Sequence, residues 1–187
     1  VLAGGTSRRF GRDKASEVVG GVPLAERAAA TLAEVFEHVV VVSGRAGISG
    51  TWRRVPDLRS GSGPLAGLEA ALVHAERTAL EGVFLLACDL PLVDGATVRA
   101  VARALADARA AAPARDGGPG LEPLCAAYRL ECLPSVREAL ERGRLAVHEL
   151  FSAVGGVTVP LSGEIFLNVN RPADRERAER ALADRSA

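Results

Sequence analysis

The chain opens on an apolar tripeptide, Val1-Leu2-Ala3, that runs directly into Gly4-Gly5, two hydroxyl residues and a group of cations ending at Lys14. Lys14 is the only lysine; every other strongly basic residue is arginine. Gly4 and Gly5 let the backbone approach a ligand closely and present successive N–H donors. A compact ammonium on a flexible stem is a point-charge partner for phosphate, a role that arginine does not simply replace. The order apolar, glycine, hydroxyl, cation therefore predicts a strand that ends in a phosphate-holding turn, and any fold for this chain has to leave that turn open to a ligand.

The loop from Gly4 to Lys14 lacks G-x-x-x-x-G-K-[ST] and also lacks G-x-G-x-x-G, so neither a P-loop nor a dinucleotide fingerprint accounts for it. It is longer than either, with a second glycine at Gly11. A plain glycine turn would have little use for Arg8, Arg9, Arg12 and Lys14 together. The absent dinucleotide fingerprint disfavours an NAD-dependent oxidoreductase.

Downstream, apolar periodicity predicts helices over Leu24 to Glu37, Pro64 to Arg77, Ala96 to Ala112, Ser135 to Arg142, Leu145 to Phe151 and Pro172 to Ala183. Strands are expected at Val1 to Ala3, Val39 to Val42, Val83 to Ala87, Leu124 to Tyr128, Val157 to Val159 and Ile165 to Val169, with Pro113 to Gly120 as a Pro/Gly loop. Strand and helix alternate through the first half. That pattern implies an α/β fold with a mostly parallel sheet and helices on both faces, a Rossmann-like three-layer arrangement. The less regular second half is expected to add a mixed or antiparallel edge. With no internal repeat and no linker, residues 1–187 read as one domain.

In such sheets ligands bind beyond the carboxyl ends of the strands. Gly4-Gly5 follow the first strand, Ser43-Gly44-Arg45 the second and Asp89 the third, so residues far apart in sequence are expected to meet at one rim. Asp89, in Leu86-Ala87-Cys88-Asp89-Leu90-Pro91, is either a turn cap or a ligand for Mg²⁺, which takes one or two carboxylates with phosphate and water. Asp57 precedes Arg59-Ser60-Gly61-Ser62-Gly63-Pro64-Leu65-Ala66-Gly67, a surface loop or an anion-facing helix start. Asn168 and Asn170 alternate, which on a strand puts both amides on one face; a turn before Arg171-Pro172 is the plainer alternative.

Basic and acidic residues balance, 23 Lys+Arg against 23 Asp+Glu, which argues against a general nucleic-acid or membrane-surface binder. Three cysteines, Cys88, Cys125 and Cys132, show no C-x-x-C spacing, so a reduced, cytoplasmic chain without a metal cluster is expected. No apolar run is long enough to span a bilayer. The chain starts without Met inside a strand-like segment, so residues are expected ahead of Val1. His38, His74 and His148 have no helpful spacing, and no G-x-S-x-G elbow appears.

The block Leu2-Ala3-Gly4-Gly5-x-Ser7-x-Arg9-Phe10-Gly11-x-Asp13-Lys14 resembles the opening signature of the molybdenum cofactor guanylyltransferases, of the nucleotide-diphospho-sugar transferase-like fold. Gly63-Pro64-Leu65-Ala66-Gly67, Cys88-Asp89-Leu90-Pro91 and Asn168-Val169-Asn170-Arg171-Pro172 agree in order and spacing, so the resemblance spans nearly the whole chain. It implies transfer of GMP from GTP to the terminal phosphate of molybdenum-molybdopterin. It implies Leu2, Ala3 and Gly4 at guanine, and Gly5, Arg9 and Lys14 at the phosphates. Asp57 would hold the nucleoside, Asp89 Mg²⁺ and GTP, and Asn168 and Asn170 the acceptor or the metal. The implied catalytic residues are Arg9, Lys14 and Asp89. Molybdoenzymes and their chaperones are the implied partners. Gly4, where cytidylyl-transferring relatives carry alanine, favours guanine. The chain departs from the family pattern at Val42, where Asn is usual, and at Arg171, where Thr is usual. A relative using CTP or another triphosphate, another phosphorylated acceptor, or a non-catalytic cofactor-delivery module are the alternatives.

Overall fold

A computed structural model describes residues 1–3, 14–43, 52–59, 61–115, 120–161 and 164–186. The loop residues Gly4, Gly5 and Arg9, and the Gly44-Arg45 pair, lie outside the described residues.

After Lys14 a 3-10 turn (Lys14–Ser16) leads into a tight hairpin, β1 (Val18–Val19) and β2 (Val22–Pro23). Gly20 and Gly21 both have positive φ there, which is what a two-residue hairpin turn of this hand requires. Then follow α1 (Leu24–Ala33), β3 (Val40–Val42), β4 (Arg53–Val55), α2 (Gly63–Arg77) and β5 (Gly82–Leu86). The second half contains α3 (Gly95–Ala104), β6 (Ala110–Arg115), β7 (Cys125–Arg129), α4 (Leu133–Glu141), α5 (Val147–Ala153), β8 (Val157–Leu161) and α6 (Pro172–Ser186).

Residues 1–3 join the strands into one sheet. Leu2 bridges in parallel to Val42 on one side and to Ala87 on the other. Ala3 N–H donates to Val42 O at 3.0 Å and Leu2 N–H to Leu86 O at 2.8 Å. From edge to edge the order is β4, β3, residues 1–3, β5, β7, β6, β8. β3 pairs with β4 and β6 with β8 in parallel, while β7 runs antiparallel to both β5 and β6. The mostly parallel α/β sheet expected from the sequence is therefore present. Of the mixed or antiparallel edge expected in the second half, the mixed form is present: the antiparallel strand β7 is internal and the outermost strand β8 is parallel to β6.

Alternation across the sheet sorts the core into two layers. Leu2, Val42, Leu85, Ala126 and Tyr128 pack with α2, α4 and α5. Val1, Ala3, Val41, Leu86 and Cys125 pack on the other face with α1 and with Ala178 of α6. Gly67 has a packing reason: a Cβ there would lie 2.5 Å from Leu2 Cδ2, so the glycine lets α2 close on the first strand. Burial pushes the Cys125 thiol up to about 12 and raises Cys132 as well, so these cysteines are protonated core residues.

Three boundaries differ from the sequence reading. The helix expected over Ala96 to Ala112 stops at Ala104, and Ala110 to Ala112 are fully buried strand residues. Alanine favours helix intrinsically, but here small side chains fit between β7 and β8 with helices on both faces, and that packing overrides propensity. Pro113 to Arg115, expected as loop, continue this strand; residues 116–119 lie outside the described residues. The strand expected at Ile165 to Val169 is instead a 3-10 turn (Glu164–Phe166) followed by backbone that joins no strand, with Phe166 and Val169 buried as anchors. At the helix ends the differences are smaller: α1 closes before Glu37 through 3-10-type bonds such as Val35 N–H to Leu32 O at 3.0 Å.

His74, on α2, is held below its ordinary value of 6.5 by burial, with Arg53, Arg77 and His38 adding repulsion. The unfolded chain therefore takes up this proton more readily than the folded one. The contribution is full above the ordinary value and is lost as pH falls through it toward the depressed folded value. Replacing His74 with glutamine is expected to flatten the fall of the denaturation midpoint as pH drops below the ordinary value of 6.5. A variant with the unaltered acid slope in urea titrations would contradict this assignment.

Candidate active site

The 3-10 turn that carries Lys14 is tied down behind it. Ala15 is buried, Glu17 N–H donates to Lys14 O at 3.2 Å, and Leu24 N–H donates to Glu17 O at 2.9 Å. The hairpin and α1 thus hold the Lys14 backbone while its side chain reaches toward the end of β5.

There the ammonium meets two oxygens. Lys14 Nζ donates to Asp89 Oδ2 at 2.6 Å and to Asn170 Oδ1 at 2.6 Å. Asn170 Nδ2 in turn donates to Asn168 Oδ1 at 3.2 Å. The ion pair is about four-fifths buried on both sides, so it is less screened than an exposed one. Asp89 Oδ1 is buried and has no hydrogen-bond partner among the described residues. A buried carboxylate oxygen without a donor is costly and calls for a cation or a bound group.

The backbone locks this arrangement. Asp89 O accepts from Val169 N–H at 2.9 Å, which sews the segment with both asparagines to the end of β5. Asp174 Oδ2 accepts from Asn170 N–H at 3.0 Å and Arg171 N–H at 2.8 Å. An acid at the third position of α6, behind Pro172, thus reaches back over the helix start, half of a capping box. The two amides are neighbours as expected, but not because they alternate on a strand; the turn and this cap bring them together.

Leu2 and Ala3 are almost fully buried, Leu2 lying between Val42 and Ala87, so their backbones line the base of the rim and their side chains belong to the core. Val42 is buried against the α2 face and offers no polar group, while Ser43, next in sequence, is 1% exposed. Asp57 follows β4, which is in parallel register with β3, so it stands at the same strand ends; the polar contacts that define the cluster are those of Lys14, Asp89, Asn168 and Asn170.

Sequence reasoning missed the support of the Asp57 loop. Glu69, on α2, is buried and accepts from Arg59 Nε at 2.8 Å and Nη2 at 3.2 Å, with Arg137 Nε at 3.8 Å. The bonds to Glu69 raise Arg59 above its ordinary value. A glutamate amid the apolar face of α2, ten residues after an arginine, was the available signal.

A cavity of about 550 Å³ lies elsewhere, at the starting ends of β3 and β5, lined by Phe36, Val40, Val83 and Phe84 among others. The cation–carboxylate cluster sits at the opposite, carboxyl ends, where open α/β sheets take their ligands. Among the described residues no group of three or more His, Cys, Asp or Glu is placed to hold a metal, so any metal there relies on Asp89 with ligands from a substrate.

Comparison with known proteins shows the family. A family model described as MobA-like NTP transferase domain matches residues 1–155. A probable molybdenum cofactor guanylyltransferase of Pelotomaculum thermopropionicum is 33% identical over 196 aligned positions, covering 100% of this chain and 93% of that protein. One from Deinococcus radiodurans is 37% identical over 182, covering 93% and 89%. The crystal structure of molybdopterin-guanine dinucleotide biosynthesis protein A from Archaeoglobus fulgidus superposes with a TM-score of 0.77 at 24% identity, over 98% of this chain and 97% of that one, a likeness of fold. With sequence pattern and sheet agreeing over nearly its full length, the chain belongs to the MobA-like NTP transferase family.

Proposed function

We propose that this chain, acting as one nucleotidyltransferase domain, transfers GMP from GTP to the terminal phosphate of molybdenum-bound molybdopterin and releases pyrophosphate. The observation that carries this reading is the Lys14–Asp89–Asn170 cluster at the carboxyl ends of the strands, with Asp89 Oδ1 unpartnered.

An acceptor phosphate oxygen attacks the α-phosphorus of GTP. The new P–O bond forms as the bond from the α-phosphorus to the bridging oxygen breaks, and the electron pair leaves on pyrophosphate. The acceptor oxygen is already ionised near neutral pH, so the chain needs no general base. Its task is to align the two phosphates and to stabilise charge. Lys14, with Arg9 and the amides of Gly4 and Gly5, takes the triphosphate and the departing pyrophosphate. Leu2, Ala3 and Gly4 bound the guanine, and Asp57 holds the nucleoside. Asn168 and Asn170 face the acceptor. Asp89 fits Mg²⁺, because one buried carboxylate with a free oxygen suits a hard cation that draws its other ligands from phosphate and water. When bound, the ion neutralises phosphate charge.

Pyrophosphate release with GTP, CTP, ATP or UTP, each with and without molybdate-loaded molybdopterin, tests the reading. Release is expected only with GTP and the pterin together. Because Val42 replaces a polar residue near the base, the CTP arm is the informative competitor: release there assigns cytidylyl transfer. GTP binding without pyrophosphate in any arm assigns a delivery module.

A further inference from the structure

The Lys14 ammonium uses two of its three donors on a carboxylate oxygen and an amide carbonyl oxygen, both at 2.6 Å. These are hard oxygen donors of the kind a divalent cation collects. The amide is not free to turn away: its Nδ2 is held by Asn168 and its backbone N–H by Asp174. A compact, strongly hydrated charge on a four-carbon stem here stands in the place of a metal ion. The stem is also long enough to leave, since it springs from a short 3-10 turn and its side chain is 18% exposed.

We propose that Lys14 guards the Asp89 site while no nucleotide is bound, and that a triphosphate draws the ammonium off, so that the divalent ion enters with the nucleotide and not ahead of it. This rests on the reading of Asp89 as the metal carboxylate. A second cation approaching Asp89 with Lys14 in place meets like charge at close range in a partly buried site, where such repulsion is strong. Triphosphate oxygens offer the ammonium a replacement partner and bring further ligands to the metal. Metal and nucleotide are then positively coupled, each raising the affinity of the other by the same factor.

The test measures binding of Mn²⁺ alone to the nucleotide-free protein, by the electron paramagnetic resonance signal of the free ion. Lys14→Met is expected to bind Mn²⁺ about tenfold more tightly than the parent, or better. Lys14→Arg keeps the charge and is expected to bind as weakly as the parent. Combining Lys14→Met with Asp89→Asn is expected to remove the gain. Lys14→Gln, neutral and hydrophilic, serves as a second charge-removing variant, and thermal melts verify each fold. Equal Mn²⁺ affinity in the parent and both neutral variants overturns the guard, as does a gain that survives Asp89→Asn. Either failure leaves guanylyl transfer standing if pyrophosphate is still released from GTP and molybdopterin. A missing pyrophosphate signal alongside the expected Mn²⁺ pattern refutes the transfer reaction and not the guard.

Discussion

Replacing Lys14 with alanine is expected to lower kcat/KM for GMP transfer by about 100- to 1,000-fold, the scale on which removing one charge-stabilising donor acts. The fold should survive, because the backbone of this turn is held by Ala15 and by the bonds of Glu17 and Leu24, none of which uses the ammonium. Lys14 is also the one cation that the described ion pairs place on Asp89. Arginine is expected to restore little of the rate, since a guanidinium forked on the Asp89 carboxylate does not pass to a triphosphate as a compact ammonium does. The measurement is continuous pyrophosphate release under saturating molybdopterin, with circular dichroism as the check on folding. A folded Lys14→Ala protein with the parent rate would remove this residue from the mechanism.

Asp89→Asn is expected to cost at least as much, about 1,000-fold or more, and to abolish the response to added Mg²⁺. The substitution keeps the shape of the side chain and an oxygen for Lys14, so the ion-pair geometry is perturbed little while the charge that suits a divalent ion is lost. The two variants are expected to differ in metal titrations: Lys14→Ala retains a Mg²⁺-dependent residual rate, and Asp89→Asn does not. An Asp89→Asn enzyme with an unchanged Mg²⁺ profile would place the metal elsewhere. Because the side chains form one unit, the double variant should lose far less than the product of the two single losses.

The pairing of Lys14 with Asp89 spans 75 positions and was legible in the sequence, because the strand-end rule needs only that both residues follow strands of one parallel sheet. Asn170, 156 positions from Lys14, was found for a partly wrong reason. The alternation that seemed to put both amides on one strand face belongs to a turn and a helix cap. Propensity alone makes the alanine run helical throughout, since nothing local distinguishes a helical alanine from one chosen to be small between two strands. The antiparallel direction of β7 had a faint signal: the link from Arg115 to Cys125 is too short for a parallel crossover, which takes about a dozen residues or more. Asp174 acts by holding backbone N–H groups and Glu69 by holding the Arg59 guanidinium, and such support is visible only once the loops concerned have been folded around them.

The bond from Val169 to Asp89 has a bearing on how the chain can be cut. The family match ends at residue 155, which makes the last thirty-odd positions look like an accessory tail. They are not. Arg175 pairs with Glu17 behind the lysine turn, Arg185 donates to Leu92 O at 2.6 Å just past the aspartate, and Ala178 is fully enclosed. A protein trimmed to the recognisable portion would lose the β8 edge strand (Val157–Leu161) and forfeit its clasp, with the ammonium and the carboxylate no longer braced from the carboxyl-terminal side.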